Sequence, residues 1–146
     1  MNDYILNKHY DDERSGKLWQ EFHPVIPFAI IDSRITDLAI RFWEDPDNNL
    51  LSGYRRLEDI VRGRTGIDEH GAKLFSQAFS GPTSSLNWKD LDSGEQVGRV
   101  NLFTGVYMAY RNPRAHRELE NYDNDLLAEF LLLNHLYFLE RESRER

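Results

Sequence analysis

The stretch that decides the fold is SGEQVGRVNLFTGVYMAYRNPRAHR, residues 93–117. Ser93 followed by Gln96 has the spacing of a capping box, in which hydroxyl and amide satisfy backbone donors at a helix start. Val97, Val100, Phe103, Tyr107 and Tyr110 then recur along one helical face, so a long amphipathic helix runs from Ser93 to about Tyr110. Asn112 is a favoured N-cap and Pro113 a favoured first helical residue, which predicts a bend and a new helix from Pro113 toward Glu120.

Working upstream, Thr83 to Asp92 reads as a polar connection whose Leu86, Trp88 and Leu91 tuck onto the core. Gly71 to Phe79 predicts a short helix with Ala72, Phe75 and Phe79 on one side, stopped by Gly81-Pro82. Leu50, Tyr54, Leu57 and Val61 mark a longer helix that follows the turn Glu44 to Asn49 and stops at Gly63 and Gly66. Ser33 to Trp43 fits a helical face through Ile35, Leu38, Phe42 and Trp43, or a strand face through Leu38, Ile40 and Phe42; the reading leans to helix. His23-Pro24 and Ile26-Pro27 impose extended or turning backbone before Phe28 to Ile31. Met1 to Gln20 reads as a loose arm or short irregular lead-in.

Downstream, Asn121 to Asn124 is a turn. Asp125 to about Arg141 then forms a last helix carrying Leu126, Leu127, Phe130, Leu131, Leu133, Leu136, Tyr137 and Phe138. So wide an apolar surface predicts burial among several helices or against a partner subunit. The expectation is an all-α helical bundle over residues 46–141, with an N-terminal arm or extension at 1–45 and a tail at 142–146. There is no internal repeat and no low-complexity tract.

A chain of 146 residues can bury a core of its own as one domain. Its 18 basic against 25 acidic residues, a net charge of -7, argue against coating nucleic acid by bulk charge. The absence of cysteine excludes disulfides, thiolate metal sites and cysteine nucleophiles. No apolar run approaches the roughly 20 residues that span a bilayer, and Met1 to Asp12 lacks the pattern of a signal peptide, so no membrane contact and a cytoplasmic location are expected.

Charge reverses locally at residues 111–117, where Arg111, Arg114 and Arg117 gather with His116. With Asn112 as a cap, free backbone N–H groups and the positive helix end would face the same volume as Arg111 and Arg114, a setting for phosphate. A positive setting keeps the His116 imidazole neutral and available to take a hydroxyl proton. Arg111 could neutralise charge building on a pentacoordinate phosphorus. The plain alternative is a solvated face of ion pairs, with Glu118 as partner of Arg114.

Elsewhere the chemistry is thinner. His9, His23, His70 and His135 lack the spacing of a metal set, so no metal and no cofactor is assigned, and His135 reads as a hydrogen-bonded structural histidine. Asp11-Asp12-Glu13, Asp45-Pro46-Asp47, Glu118 and Glu120 read as solvated or helix-end charge. Arg55, Arg56, Arg62 and Arg64 form a second basic strip, read as exposed surface with a lesser part as an extension of an RNA path. Tyr107 and Tyr110 sit on the apolar stripe and are assigned to the core.

Arg111, Asn112 and His116 resemble the Arg-x4-6-His motif of the HEPN superfamily, in which a polar residue often follows the Arg. The longer string Gly98 to Arg117, with Gly105 ahead of Tyr110, looks like the Ymh-type branch, and the likeness covers about residues 48–140. The resemblance implies a helical bundle that dimerises, two motifs meeting at the interface as one metal-independent ribonuclease site. It implies phosphate ligation by Arg111, acid-base chemistry by His116 and orientation by Asn112; Arg114 and Arg117 are expected to add RNA contacts. Many relatives act in toxin-antitoxin or phage-defence systems, which implies an antitoxin protein as partner; others are non-catalytic binding modules. The dimer also has a physical rationale, because cleavage by the 2′-hydroxyl needs a proton acceptor and a proton donor. Each patch holds one histidine, and twofold pairing supplies two.

Overall fold

The computed structural model describes residues 23–116 and 122–146, so the arm expected over 1–20 lies outside the described residues. After short 3-10 turns at Phe28–Ile30 and Ser33–Ile35, the chain forms α1 (Thr36–Ile40) and a further turn at Phe42–Glu44. Then come α2 (Pro46–Thr65), α3 (Gly71–Phe79), β1 (Leu86–Asn87), α4 (Ser93–Val106), a π-helical turn (Tyr107–Arg111), α5 (Asn112–His116), α6 (Asp123–Glu142) and β2 (Arg144–Glu145). The fold is an all-α bundle, as the periodicities predict.

Each main helix has a local cause. Asp45 accepts from the Asn48 amide at 3.2 Å and Pro46 opens α2, a start signal that costs the helix no backbone bond. Gly66, at φ 72°, closes α2 in the left-handed conformation with its N–H on the Arg62 carbonyl. Leu50, Tyr54, Leu57 and Val61 are fully buried, as expected of the stripe. α3 has the bounds read from its sequence. α4 begins at Ser93, but its cap is Asp92, which accepts from the Glu95 amide at 2.8 Å. Gln96 instead holds the preceding connection, accepting from the Trp88 amide and donating to the Trp88 carbonyl at 2.7 Å.

The core joins all of these elements. Phe75 stacks on Phe103 with centroids 5.0 Å apart, and Phe79 stacks on Trp88 at 4.6 Å, whose indole N–H donates to the Leu139 carbonyl at 2.7 Å. α2 and α6 come close at Gly53, where an added Cβ would lie 2.6 Å from Leu133 Cδ2 and where the Tyr137 hydroxyl donates to the Gly53 carbonyl. Leu126, Phe130, Leu133, Leu136, Tyr137 and Leu139 of α6 are all buried within this one chain. Of the other residues expected on the apolar surface of α6, Leu127 and Leu131 are partly buried and Phe138 is 40% exposed.

Both expected boundaries move outward. Ile26, Ile31, Ile35, Leu38 and Phe42 belong to the same core, and Asn134 brackets the entering segment by accepting from the Asp32 amide and donating to the Ile30 carbonyl. His23 adds a stack on Trp43 and a 2.7 Å contact with Asp123. The division at residue 45 thus falls inside the packed unit. At the other end β2 pairs antiparallel with β1, Leu86 opposite Glu145, so residues 144–145 are docked rather than a free tail. A two-residue pairing of this kind has no periodicity of its own and is set by the packing around Trp88.

Candidate functional site

The charged motif sits on a helix that does not end where its sequence suggests. Asn112 has φ -63° and ψ -49°, ordinary right-handed helix, and its N–H donates to the Tyr107 carbonyl five residues back. It is not an N-cap, and its amide is engaged rather than free for an anion. The cause lies one residue on: Pro113 has no N–H to give Ala109, and its ring would crowd that carbonyl in a regular α-helix. The wider π turn over Tyr107–Arg111 relieves the crowding and lets α4 continue into α5.

Two tertiary pairs fix this continuous helix. Arg111 places Nη2 3.3 Å from each carboxylate oxygen of Glu58, a residue of α2 whose side chain is 1% exposed. Glu58 Oε1 also accepts from the Gly71 amide at 2.6 Å, where α3 begins. Arg111 Nε is buried and has no hydrogen-bond partner among the described residues, while 14% of the side chain as a whole stays accessible. Asn112 lies beside the same helix start, its Oδ1 3.8 Å from where a Cβ on Gly71 would stand. The Tyr107 phenol, entirely buried, is held well above the ordinary tyrosine range by burial and then by the Glu58 charge; its hydroxyl donates to the Tyr54 carbonyl at 2.7 Å.

Arg114 forms the second pair. Its Nε and Nη2 donate to the two oxygens of Glu129 at 3.0 and 2.7 Å, a fork on a carboxylate that is itself buried, and Nη1 donates to Asp47. Tyr54 adds a hydroxyl to Glu129 at 3.0 Å. Burial works against charge on Arg114, and the Glu129 and Asp47 carboxylates outweigh it, so the guanidinium is held more firmly protonated than usual. None of its side chain reaches solvent. The expectation that Arg114 contacts RNA is therefore corrected: it is an enclosed structural cation whose partners include Glu129 and Asp47. Arg117, and the partner Glu118 expected for Arg114, lie outside the described residues.

His116 is exposed and makes no side-chain hydrogen bond or ion pair with any described residue. Five residues along an α-helix turn it about 140° away from Arg111. Arg111 accordingly points inward toward α2, and the imidazole points out. The motif supplies two groups that do not converge within one chain.

Other expectations change with the packing. Arg56 pairs with Asp37 at 2.8 Å, Arg62 with Asp59 at 2.5 Å, and Arg64 with Glu140 at 2.8 Å, so the second basic strip is divided among separate ion pairs. Tyr110 is 41% exposed rather than core. His135 is exposed and lies against Phe138, with ring centroids 5.9 Å apart. Sequence reasoning missed Glu58 and Glu129, although each occupies an apolar-stripe position: Glu58 between Tyr54, Leu57 and Val61, Glu129 between Leu126, Phe130 and Leu133. A carboxylate on a stripe needs a cation opposite it, and that was the available signal.

Among the described residues no helix is long and apolar enough to cross a membrane. Residues 32–138 match the model of a family described as "Protein of unknown function (Hypoth_ymh)". No curated protein and no solved structure matches the chain.

Proposed function

Because the chain belongs to the Hypoth_ymh family, proteins of unknown function, we propose its activity from the motif: a metal-independent endoribonuclease of the HEPN type. Two copies would bring Arg111 of one and His116 of the other onto one RNA phosphate. The observation that carries this reading is that His116 is exposed and unpaired by any described carboxylate, five residues from an arginine that engages only Nη2.

In the reaction His116 takes the proton of the 2′-hydroxyl, and the freed oxygen forms a bond to phosphorus. The bond to the 5′-oxygen breaks, that oxygen takes a proton from the protonated His116 of the second copy, and a 2′,3′-cyclic phosphate remains. Arg111 stabilises the charge gathered on phosphorus, and Asn112, beside Gly71, orients the site. A toxin or phage-defence setting, with an antitoxin protein as partner, belongs to the same proposal. The Arg111–Glu58 pair favours a second reading, in which the motif is a non-catalytic module that binds nucleotide, RNA or protein.

Cleavage of RNA in EDTA, by wild type and by His116→Ala and Arg111→Ala, tests the first reading. Each substitution should lower the rate about a hundredfold or more in a folded protein. Unchanged cleavage removes that residue from the mechanism. No cleavage of any RNA by wild type leaves the binding module.

A further inference from the structure

Glu58 occupies a place on α2 where the stripe would ordinarily carry an aliphatic side chain, and it is held from two sides. The Gly71 amide fixes Oε1 at 2.6 Å, while Arg111 meets both oxygens through Nη2 alone at 3.3 Å. A strong guanidinium–carboxylate pair uses two parallel bonds near 2.8 Å. Here a single nitrogen straddles both oxygens at long range, and Nε stays buried and unpaired among the described residues. The pairing locates Arg111 and partly neutralises it without saturating it. Since the carboxylate is anchored on α3, it cannot follow if the guanidinium shifts toward an outside anion.

We propose that Glu58 is the positioning residue of this site, a built-in counter-anion that keeps Arg111 in place and sets how tightly the site takes an RNA phosphate. This rests on the reading of Arg111 as a phosphate ligand. A ground-state phosphate must share the guanidinium with Glu58 and binds more weakly for it. The greater negative charge that gathers at the transition state competes better for the same donors, so the carboxylate favours turnover over retention.

The probe is a short 2′-O-methyl oligoribonucleotide, which carries phosphates but no attacking hydroxyl, so that binding is measured apart from cleavage. Fluorescence anisotropy with the full chain should show Glu58→Gln binding about tenfold tighter than wild type, the scale of one charge-assisted hydrogen bond. In an Arg111→Ala background the same substitution should change affinity less than about twofold. With cleavable RNA, Glu58→Gln should lower KM and kcat together, whereas mere loosening of the fold raises KM, and Glu58→Asp should move both back toward wild type.

Affinity unchanged or weakened in folded Glu58→Gln, or an equal gain without Arg111, overturns the proposal. So does failure of both wild type and Glu58→Gln to bind the oligonucleotide. If wild type binds but cleaves no RNA, only the ribonuclease reading falls, and the affinity cycle still decides the role of Glu58. Should Glu58→Gln not fold, the Arg111 Nε–H resonance of wild type, labelled at arginine nitrogen, replaces it: the oligonucleotide should shift that signal, and an unmoved signal refutes the inference.

Discussion

Replacing Arg114 with alanine separates a structural cation from an RNA contact through stability alone. The side chain is wholly enclosed and its fork rests on Glu129, whose own side chain is 4% exposed. Truncation leaves a buried carboxylate with the Tyr54 hydroxyl as its remaining side-chain donor, and removing one partner of a buried pair costs about 3–5 kcal/mol. With a urea dependence of about 2 kcal/mol per molar, the unfolding midpoint should fall by about 1.5–2.5 M. An exposed arginine held only for RNA would change stability by no more than about 0.5 kcal/mol, a shift of about 0.25 M. The assay is urea unfolding followed by far-ultraviolet circular dichroism and tryptophan fluorescence, whose coincidence tests the two-state assumption. A control removes both charges: Arg114→Met with Glu129→Gln keeps an acceptor for Tyr54 and should recover most of the loss. A midpoint shift below about 0.25 M for Arg114→Ala, or a double variant no more stable than the single, refutes the reasoning.

Crosswise pairing predicts that inactive Arg111→Ala and inactive His116→Ala chains, unfolded and refolded together, regain part of the RNA cleavage that neither shows alone; no recovery in mixed dimers confirmed by mass refutes the pairing. The buried phenols of Tyr54, Tyr107 and Tyr137 are raised above the ordinary range, chiefly by burial, against about 10 in the unfolded chain. Their contribution to stability is thus complete below pH 10 and is lost as pH climbs beyond it, by up to about 4 kcal/mol per pH unit for the three together. Absorbance at 295 nm should show three of the seven tyrosines ionising only as the chain unfolds. Gly53→Ala should cost about 1–3 kcal/mol in the same urea assay, because the new methyl meets Leu133 where α2 and α6 are closest.

The parts of this fold that announce themselves are those governed by local rules. α3 could be bounded to the residue because Gly71 and Gly81-Pro82 enclose a short apolar period, and α2 and α6 follow from stripes repeated over several turns. What the sequence conceals is set by contacts distant along the chain. Asn112-Pro113 carries the local signature of a helix start, yet Arg111 and Arg114 are pinned to Glu58 and Glu129, 53 and 15 residues away, and those pairs keep the helix unbroken. Arg111 and Arg114 look alike in sequence, two cations three residues apart. Only the acids opposite them distinguish one that keeps access to solvent from one fully enclosed. Ser93 and Gln96 satisfied a pattern whose work is done by Asp92, because Gln96 was already taken by Trp88.

The π turn at Tyr107–Arg111 amounts to one residue inserted into a helix without lengthening its path, which makes it a seam where chain length can change. Removing a residue from elsewhere in α4 would rotate everything beyond by about 100° and pull Arg114 from Glu129. Removing the exposed Ala109 instead would close the wide turn to a regular one and return Asn112 to His116 to the same azimuth. Pro113 alone resists that change, so the deletion becomes tolerable when Pro113→Ala accompanies it. Distances counted in residues from α4 through this turn to Arg114 therefore do not report angles, whereas the five residues from Arg111 to His116 lie beyond it and do.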